Sequence, residues 1–260
     1  MLLAIDVGNT HVVFGVYDGG ETPTIWRVRT EPHRTADEHA VILRSLCEHA
    51  GIPIDQLNDV CIGSVVPTLT TTLSDLAREY LRAEPIVVGP GIRTGVRLLV
   101  ENPREVGADR IANTVASHRR YGGPAIVIDF GTATTFDAVS ADGDFLGGAI
   151  APGIDISMQA LFDRAARLFR VDLTRPKSAI GKNTITNVQS GILFGYVGLV
   201  EGLIRRFKDE MGECRVIGTG GLVEQIARET EAIDIIDQRL TLDGLRILWE
   251  INQSAVEARP

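Results

Sequence analysis

Ile5-Asp6-Val7-Gly8-Asn9-Thr10 and Ile128-Asp129-Phe130-Gly131-Thr132-Ala133 decide the reading of this chain. Each is the end of a short apolar run, an Asp-x-Gly, a small polar residue and then a second apolar run. The first copy joins Leu2 to Asp6 with Val12 to Tyr17, closed by Asp18-Gly19-Gly20. That is strand, tight turn, strand, turn, a β-hairpin. The second copy joins Ala125 to Asp129 with Ala133 to Val139, and Asp142-Gly143 turns the chain into Phe145 to Ile150. An internal echo at the head of each half predicts a duplicated α/β domain. A pair of ordinary hairpin turns would give the same local pattern.

The segments between these heads alternate in period. Thr35-Ala36-Asp37-Glu38 has the spacing of a capping box, and Val41, Ile42, Leu46 and Ala50 follow at helical spacing up to Gly51. Val60 to Val66 reads as a strand, Thr70 to Leu81 as a helix, and Pro85 to Val88 as strand-like before Gly89-Pro90-Gly91. A helix runs from near Gly107 to about Arg120, and Gly122-Gly123-Pro124 stops it. In the second half Met158, Leu161, Phe162, Ala165, Leu168 and Phe169 form one apolar helical face. A long helix covers about Asn187 to Glu210, a short strand Val216 to Gly218, and a last helix about Leu242 to Ala255. The expected division is residues 1–122 and 123–260.

The chemistry follows from the turns. Glycine at a strand end lets backbone N–H groups approach phosphate oxygens without a Cβ in the way. An Asp just before the turn can hold a cation directly or through its waters. One such turn from each half would grip a triphosphate between two lobes. Two carboxylates near a triphosphate repel it unless cations are present, so this reading carries a metal requirement. A third piece, Val216-Ile217-Gly218-Thr219-Gly220-Gly221-Leu222, is a strand ending in a Gly-rich turn, flat enough to receive adenine or ribose. It serves equally well as a plain strand-to-helix turn. Neither GxGxxG nor GxxxxGK[ST] occurs, which sets aside the dinucleotide and P-loop classes.

Composition limits the alternatives. The 260 residues are 44% hydrophobic and 23% charged, with a formal net charge of −8. This suits a folded protein with a real core and argues against nucleic acid or a membrane surface as partner. Cys47, Cys61 and Cys214 are dispersed, as expected for free thiols in a reducing compartment rather than disulfides or a zinc site. The histidines make no HxxxH or HExxH spacing, and Ser64 has no GxSxG context. The N-terminus lacks a signal-peptide pattern, and the apolar stretch Gly191 to Ile204, interrupted by Glu201, is shorter than a membrane span needs. A cytoplasmic location is expected.

The order of two phosphate turns and one adenosine turn is that of the actin, sugar-kinase and heat-shock ATPase superfamily. Asp6-Val7-Gly8-Asn9-Thr10, Asn102 to Arg110 with its Gly107-Ala108-Asp109-Arg110, Ile128 to Thr135, Gly147 to Gly153, Gly181-Lys182-Asn183-Thr184 and Gly218 to Gly221 together resemble the type III pantothenate kinases. The resemblance spans nearly the whole chain. It implies two actin-like (ribonuclease H-like) α/β domains with a nucleotide cleft between them. It implies transfer of the ATP γ-phosphoryl group to pantothenate, the first step of coenzyme A synthesis.

The resemblance also assigns residues. Asp6, Val7, Gly8, Asn9, Thr10, His11, Val12 and Val13 would contact ATP phosphates, joined by Thr132. Gly107, Ala108, Asp109, Arg110 and Thr184 would contact pantothenate, with Asp109 as base. Asp129 would hold a monovalent cation, potassium or ammonium, and Asp6 the magnesium of MgATP through water. The family often carries a substrate-contacting tyrosine shortly before the Asn-Pro pair, and Val100 stands at that position here. Taken without the family, His11 reads as a solvent-facing or packing histidine, and Arg110 as a carboxylate or phosphate partner or a surface ion pair.

At a helix start, Asp109 is stabilised as an anion by the helix dipole and can take a proton from an alcohol. Gly191, Gly195, Gly198 and Gly202 share one face of the long helix, open either to the domain's own sheet or to a second copy. The family's members are dimers, which favours the second. A non-catalytic regulatory or binding protein on the same scaffold, and another actin-like phosphotransferase, remain as alternatives.

Overall fold

The structure is a computed structural model that describes residues 1–165 and 170–257. It divides into two compact units, residues 1–116 with 239–260, and residues 117–238.

Unit 1 is built on a five-stranded sheet. Strand β1 (Leu2–Val7) pairs antiparallel with β2 (His11–Tyr17), and β2 with β3 (Thr24–Arg29). On its other side β1 runs parallel to β4 (Asp59–Ser64), and β4 to β5 (Ile86–Val87). The spatial order is β3-β2-β1-β4-β5. Helix α1 (Ala36–Ala50) begins at Thr35, whose side chain and that of Glu38 form the reciprocal capping box read from sequence. Helix α2 (Pro67–Tyr80) packs on α1 and β4. Leu3, Ile5, Phe14, Leu43, Ile62, Leu69 and Leu73 are fully buried between these layers. Burying each such side chain contributes roughly 1.5–3 kcal/mol. Helix α3 (Ala108–Tyr121) starts in this unit and runs into the next.

Unit 2 repeats the plan. Strand β6 (Ala125–Phe130) pairs antiparallel with β7 (Ala133–Val139), which pairs with β8 (Phe145–Pro152). Helix α4 (Ile154–Arg164) and the long α5 (Thr184–Met211) follow. Strand β9 (Arg215–Thr219) lies parallel to β6, then comes the short helix α6 (Val223–Ala227), and β10 (Ile235–Ile236) lies parallel to β9. The order β10-β9-β6-β7-β8 has the connectivity of the first sheet. In each, a three-strand meander is followed by two parallel strands on the far side of the first.

The echo extends to burial. In both β1 and β6 every residue but one is buried, save that the aspartate, Asp6 or Asp129, is half-buried. A strand covered on both faces reads as a continuous apolar run, so a carboxylate in it must sit where the cover ends. The two turns differ by one residue. Val7 pairs with Val12, and Phe130 pairs with Thr134. The ungapped match of the two sequences therefore holds up to the glycine and slips by one position after it.

The final helix, α7 (Leu240–Glu257), packs on β1 and β4 of unit 1, whereas the sequence division placed it with the second half. Leu245 lies over Gly63, and Leu242 over Gly15. A buried Tyr17 hydroxyl donates to Asp243 Oδ1 at 2.8 Å and fixes the helix to β2. Helix contacts with a non-neighbouring strand leave no local trace in sequence, hence the different division.

Three further readings change. Helix α4 ends at Arg164, Leu161 is exposed, and Leu168 and Phe169 lie outside the described residues. Helix α5 is 28 residues and, by length and composition, apolar enough to cross a membrane, because it continues past the Gly191 to Ile204 stretch on both sides. Its Leu193, Tyr196, Val197, Val200 and Ile204 pack in the core of unit 2, as in a core helix. The strands β3 and β10 were not read from sequence. The first is an edge strand with mostly exposed residues, and the second has two residues.

Candidate functional site

In unit 1 the predicted residues gather at the carboxyl end of the parallel strands, where open α/β sheets receive ligands. The turn after β1 is Gly8-Asn9-Thr10. Gly8 N–H donates to His11 O at 2.9 Å. Thr30, at the end of β3, holds the turn from outside. Its hydroxyl donates to Gly8 O at 2.7 Å, and its N–H to Thr10 O at 2.9 Å. Thr30 was invisible in the sequence because β3 was. Asn9, Thr10 and His11 are exposed, whereas Val7 and Val12 are fully buried. Those two valines can meet a ligand only through their backbone.

The residue before α3 packs against the end of β4. Val65 N–H donates to Val7 O at 3.0 Å, continuing the β1–β4 pairing past Ser64. A Cβ built on Gly107 would touch Val65 Cγ1 at 3.5 Å and collide with the Asp109 carboxylate. Val65 thus links the end of β1 to the residue that precedes α3. Ala108 is buried, and Asp109 and Arg110 are partly buried.

Asp109 Oδ1 accepts the Arg110 N–H at 2.8 Å. Two effects compete on its carboxyl. Burial pushes its pKa up, and the Arg110 backbone N–H and guanidinium pull it down. Burial is the larger, so the net direction is upward. The dipole argument from sequence favoured the anion alone, because burial is not legible there. A carboxylate raised this way is a stronger base than an exposed one.

Before α3, Asn102 caps a single 3₁₀ turn, Pro103–Glu105. Its Oδ1 accepts from Arg104 N–H at 3.3 Å, and its Nδ2 donates to Glu105 Oε1 at 2.6 Å. Val100 is partly buried just upstream.

In unit 2 three predicted pieces meet at the carboxyl ends of β6 and β9. Asp129 pairs with Thr219 across the strands. The next residue, Gly220, has φ +91°. A Cβ there would stand 2.5 Å from Asp129 Oδ1 and 2.6 Å from Phe130 N. The Gly131-Thr132 turn is tied to β8, with Gly153 N–H donating to Thr132 O at 3.1 Å. Tyr196 on α5 supports β7 and β8, its hydroxyl donating to Pro152 O at 2.7 Å and accepting from the Thr134 hydroxyl at 2.6 Å. Thr184 is in unit 2, exposed at the first turn of α5, and lines a groove with Leu161, Asn187, Val188, Gly191 and Ile192. A capping box from Asn183 to Thr186 sets that helix start.

No three His, Cys, Asp or Glu side chains gather as a metal cluster among the described residues. The sites at Asp6 and Asp129 each offer one carboxylate, which suits ions that take their remaining ligands from water, backbone and a phosphorylated substrate.

The comparisons identify the lineage. The family model described as type III pantothenate kinase matches residues 2–206. A type III pantothenate kinase of Moorella thermoacetica is 53% identical over 97% of this chain and the whole of that protein.

The chain belongs to the type III pantothenate kinase family.

A second member, from Roseiflexus sp. (strain RS-1), is 53% identical over 98% of this chain and all of its own length. Among solved structures, the inorganic polyphosphate/ATP-glucomannokinase of Arthrobacter sp. strain KM matches with a TM-score of 0.54 at 16% identity, covering 96% of this chain and 98% of that one. At that identity the likeness concerns fold alone, and the fold is the two-domain actin-like α/β fold expected from sequence. As in any kinase family, type III pantothenate kinases use ATP with a divalent metal. The family model ends in α5, so the last helix of this pantothenate kinase homologue lies outside it.

Proposed function

We propose that this chain transfers the γ-phosphoryl group of ATP to the primary hydroxyl of pantothenate, giving 4′-phosphopantothenate for coenzyme A synthesis. The observation that carries the reading is near-complete alignment with type III pantothenate kinases combined with a partly buried Asp109 at the head of α3.

Phosphoryl transfer asks the protein for position and charge more than for covalent chemistry. The turn from Asp6 to Val13 receives the ATP phosphates, chiefly through its exposed Asn9, Thr10 and His11, with Thr132 adding a hydroxyl. Gly107, Ala108, Arg110, Val100 and Thr184 hold pantothenate, Arg110 suiting its carboxylate. Asp109 orients the acceptor hydroxyl and takes its proton as the phosphorus–oxygen bond forms. A divalent ion, magnesium, neutralises the phosphate charge when bound, and Asp6 would hold it through water. Asp129 would hold a potassium or ammonium ion.

The enzyme is proposed to act in the cytoplasm as a homodimer. Support for the dimer lies on α5, where a Cβ at Gly191, Gly195, Gly198 or Gly202 would meet nothing within 4 Å among the described residues. The glycine face therefore does not pack on its own sheet.

A coupled ADP-release assay with pantothenate, with and without potassium, tests the reading. Pantothenate-dependent ADP release stimulated by potassium is expected. No release across ATP and cation concentrations would overturn it.

A further inference from the structure

Helix α7 lies outside the matched family model, yet it touches both the helix that carries Asp109 and the coil that leads to Val100. Its first contact is with α3. A Cβ on Gly244 would run into the backbone of Ala112, so the two helices meet there main chain to main chain. Thr241 Oγ1 donates to Asn113 Oδ1 at 2.8 Å one turn along. The helix that carries Asp109 is thus seated on α7.

The second contact is with the segment between β5 and the 3₁₀ turn. That segment has no strand or helix of its own, and within it Gly91 and Gly95 have positive φ. Asn252 grips it. Its Oδ1 accepts the Arg93 N–H at 3.0 Å, and its Nδ2 donates to Arg93 O at 2.8 Å. The same Nδ2 donates back to Leu248 O at 2.8 Å, which locks the amide on its own helix. Such a side chain replaces a strand partner, since it satisfies both backbone groups of one residue. Beside it, Ile251 Cδ1 would stand 3.1 Å from a Cβ on Gly95, a tight contact, and the φ of +74° at Gly95 favours glycine there. Thr94 and Val96 close the bend internally, Thr94 Oγ1 donating to Val96 O at 2.7 Å.

We infer that Asn252 is a positioning residue for the pantothenate segment, holding residues 93–96 so that Val100 and the Asn102 turn are presented at a fixed place relative to Asp109. The inference rests on the reading that Val100 and Gly107 to Arg110 receive pantothenate. An untethered coil must be ordered by the substrate, and that ordering lowers apparent affinity. The effect falls on substrate binding rather than on the chemical step.

The test compares wild type, Asn252→Ala and the neighbouring Gln253→Ala in the full chain. Expected for Asn252→Ala are a KM for pantothenate raised about 10-fold, a kcat within about 2-fold of wild type and an unchanged KM for ATP. Hydrogen exchange at residues 93–96 should accelerate, and Gln253→Ala should match wild type throughout. Should Asn252→Ala not fold, the isosteric Asn252→Asp carries the same test. It keeps an oxygen toward Arg93 N–H and loses both donated bonds. Active wild type with an unchanged pantothenate KM in the variant overturns the inference alone, as does unchanged exchange at 93–96. Wild type without pantothenate turnover overturns the functional reading, and this inference with it.

Discussion

The carboxylate of Asp129 occupies the space that a side chain on Gly220 would need, since a Cβ at residue 220 would lie 2.5 Å from Asp129 Oδ1. The φ of +91° at Gly220 adds a backbone reason for glycine at the same place. Aspartate and glycine come from strands far apart in the chain, and the parallel β6–β9 register makes them neighbours.

Gly220→Ala should therefore act twice. Backbone strain and the collision with Asp129 and Phe130 should cost about 1–3 kcal/mol, read as a lowered Tm. If Asp129 holds the monovalent ion, stimulation of turnover by potassium should also be lost while Tm remains measurable. A variant as stable as wild type would contradict the packing, and intact potassium stimulation would contradict the role of Asp129.

Asp109→Asn keeps the shape of the side chain and its acceptor for the Arg110 N–H. Loss of the base should reduce kcat by about 10²–10⁴-fold. Stability should move the other way. A carboxyl whose folded pKa lies above its unfolded value binds its proton more tightly when folded, so its penalty grows as pH rises from the ordinary aspartate range through the raised value. The asparagine variant should show a higher Tm than wild type at pH 7, with the gain vanishing at acid pH. Equal Tm at pH 7, or undiminished turnover, would count against this account.

His39 is fully buried on α1, and neither ring nitrogen has a hydrogen-bond partner among the described residues. Burial, with a smaller contribution from Arg34, holds its pKa down to about 4 against an opposing pull from Glu38. The neutral ring is the folded form, so its stability contribution is complete above the unfolded value of about 6.5 and is lost as pH falls toward 4. His39→Leu should flatten the acid limb of stability by about 1–3 kcal/mol at pH 4. Urea midpoints at pH 7 and pH 4 measure it, and parallel losses in both proteins would exclude His39 as the source.

Gly195 faces open space in the isolated chain. Gly195→Ala should stabilise α5 by about 1 kcal/mol through helix propensity alone. Gly195→Leu should weaken self-association at the proposed dimer face, measured by sedimentation at falling protein concentration. An unchanged association constant in Gly195→Leu would move the dimer contact elsewhere.

The thiols are poor candidates for redox control. Cys61 is buried, and its pKa is pushed up to about 12 by that burial, with Cys47 raised in the same direction. Neither presents a thiolate near neutral pH.

By itself the sequence determined the elements whose cause is local. Period-two and period-3.6 runs placed β1, β2, β6, β7 and the bodies of α1, α3 and α5. The paired Asp-x-Gly turns announced the duplication, and the motif set pointed to Asp6, Asp109 and Asp129 as the proposed site residues. Tertiary structure alone decided which strand ends lie side by side, that Gly220 abuts Asp129, that Thr30 clamps the Gly8 turn, and that α7 returns to the first sheet. It also decided the direction of the Asp109 pKa, because helix capping is a local effect and burial is not. Spacing along a chain records which face a residue takes. It carries no record of what a distant segment brings against that face.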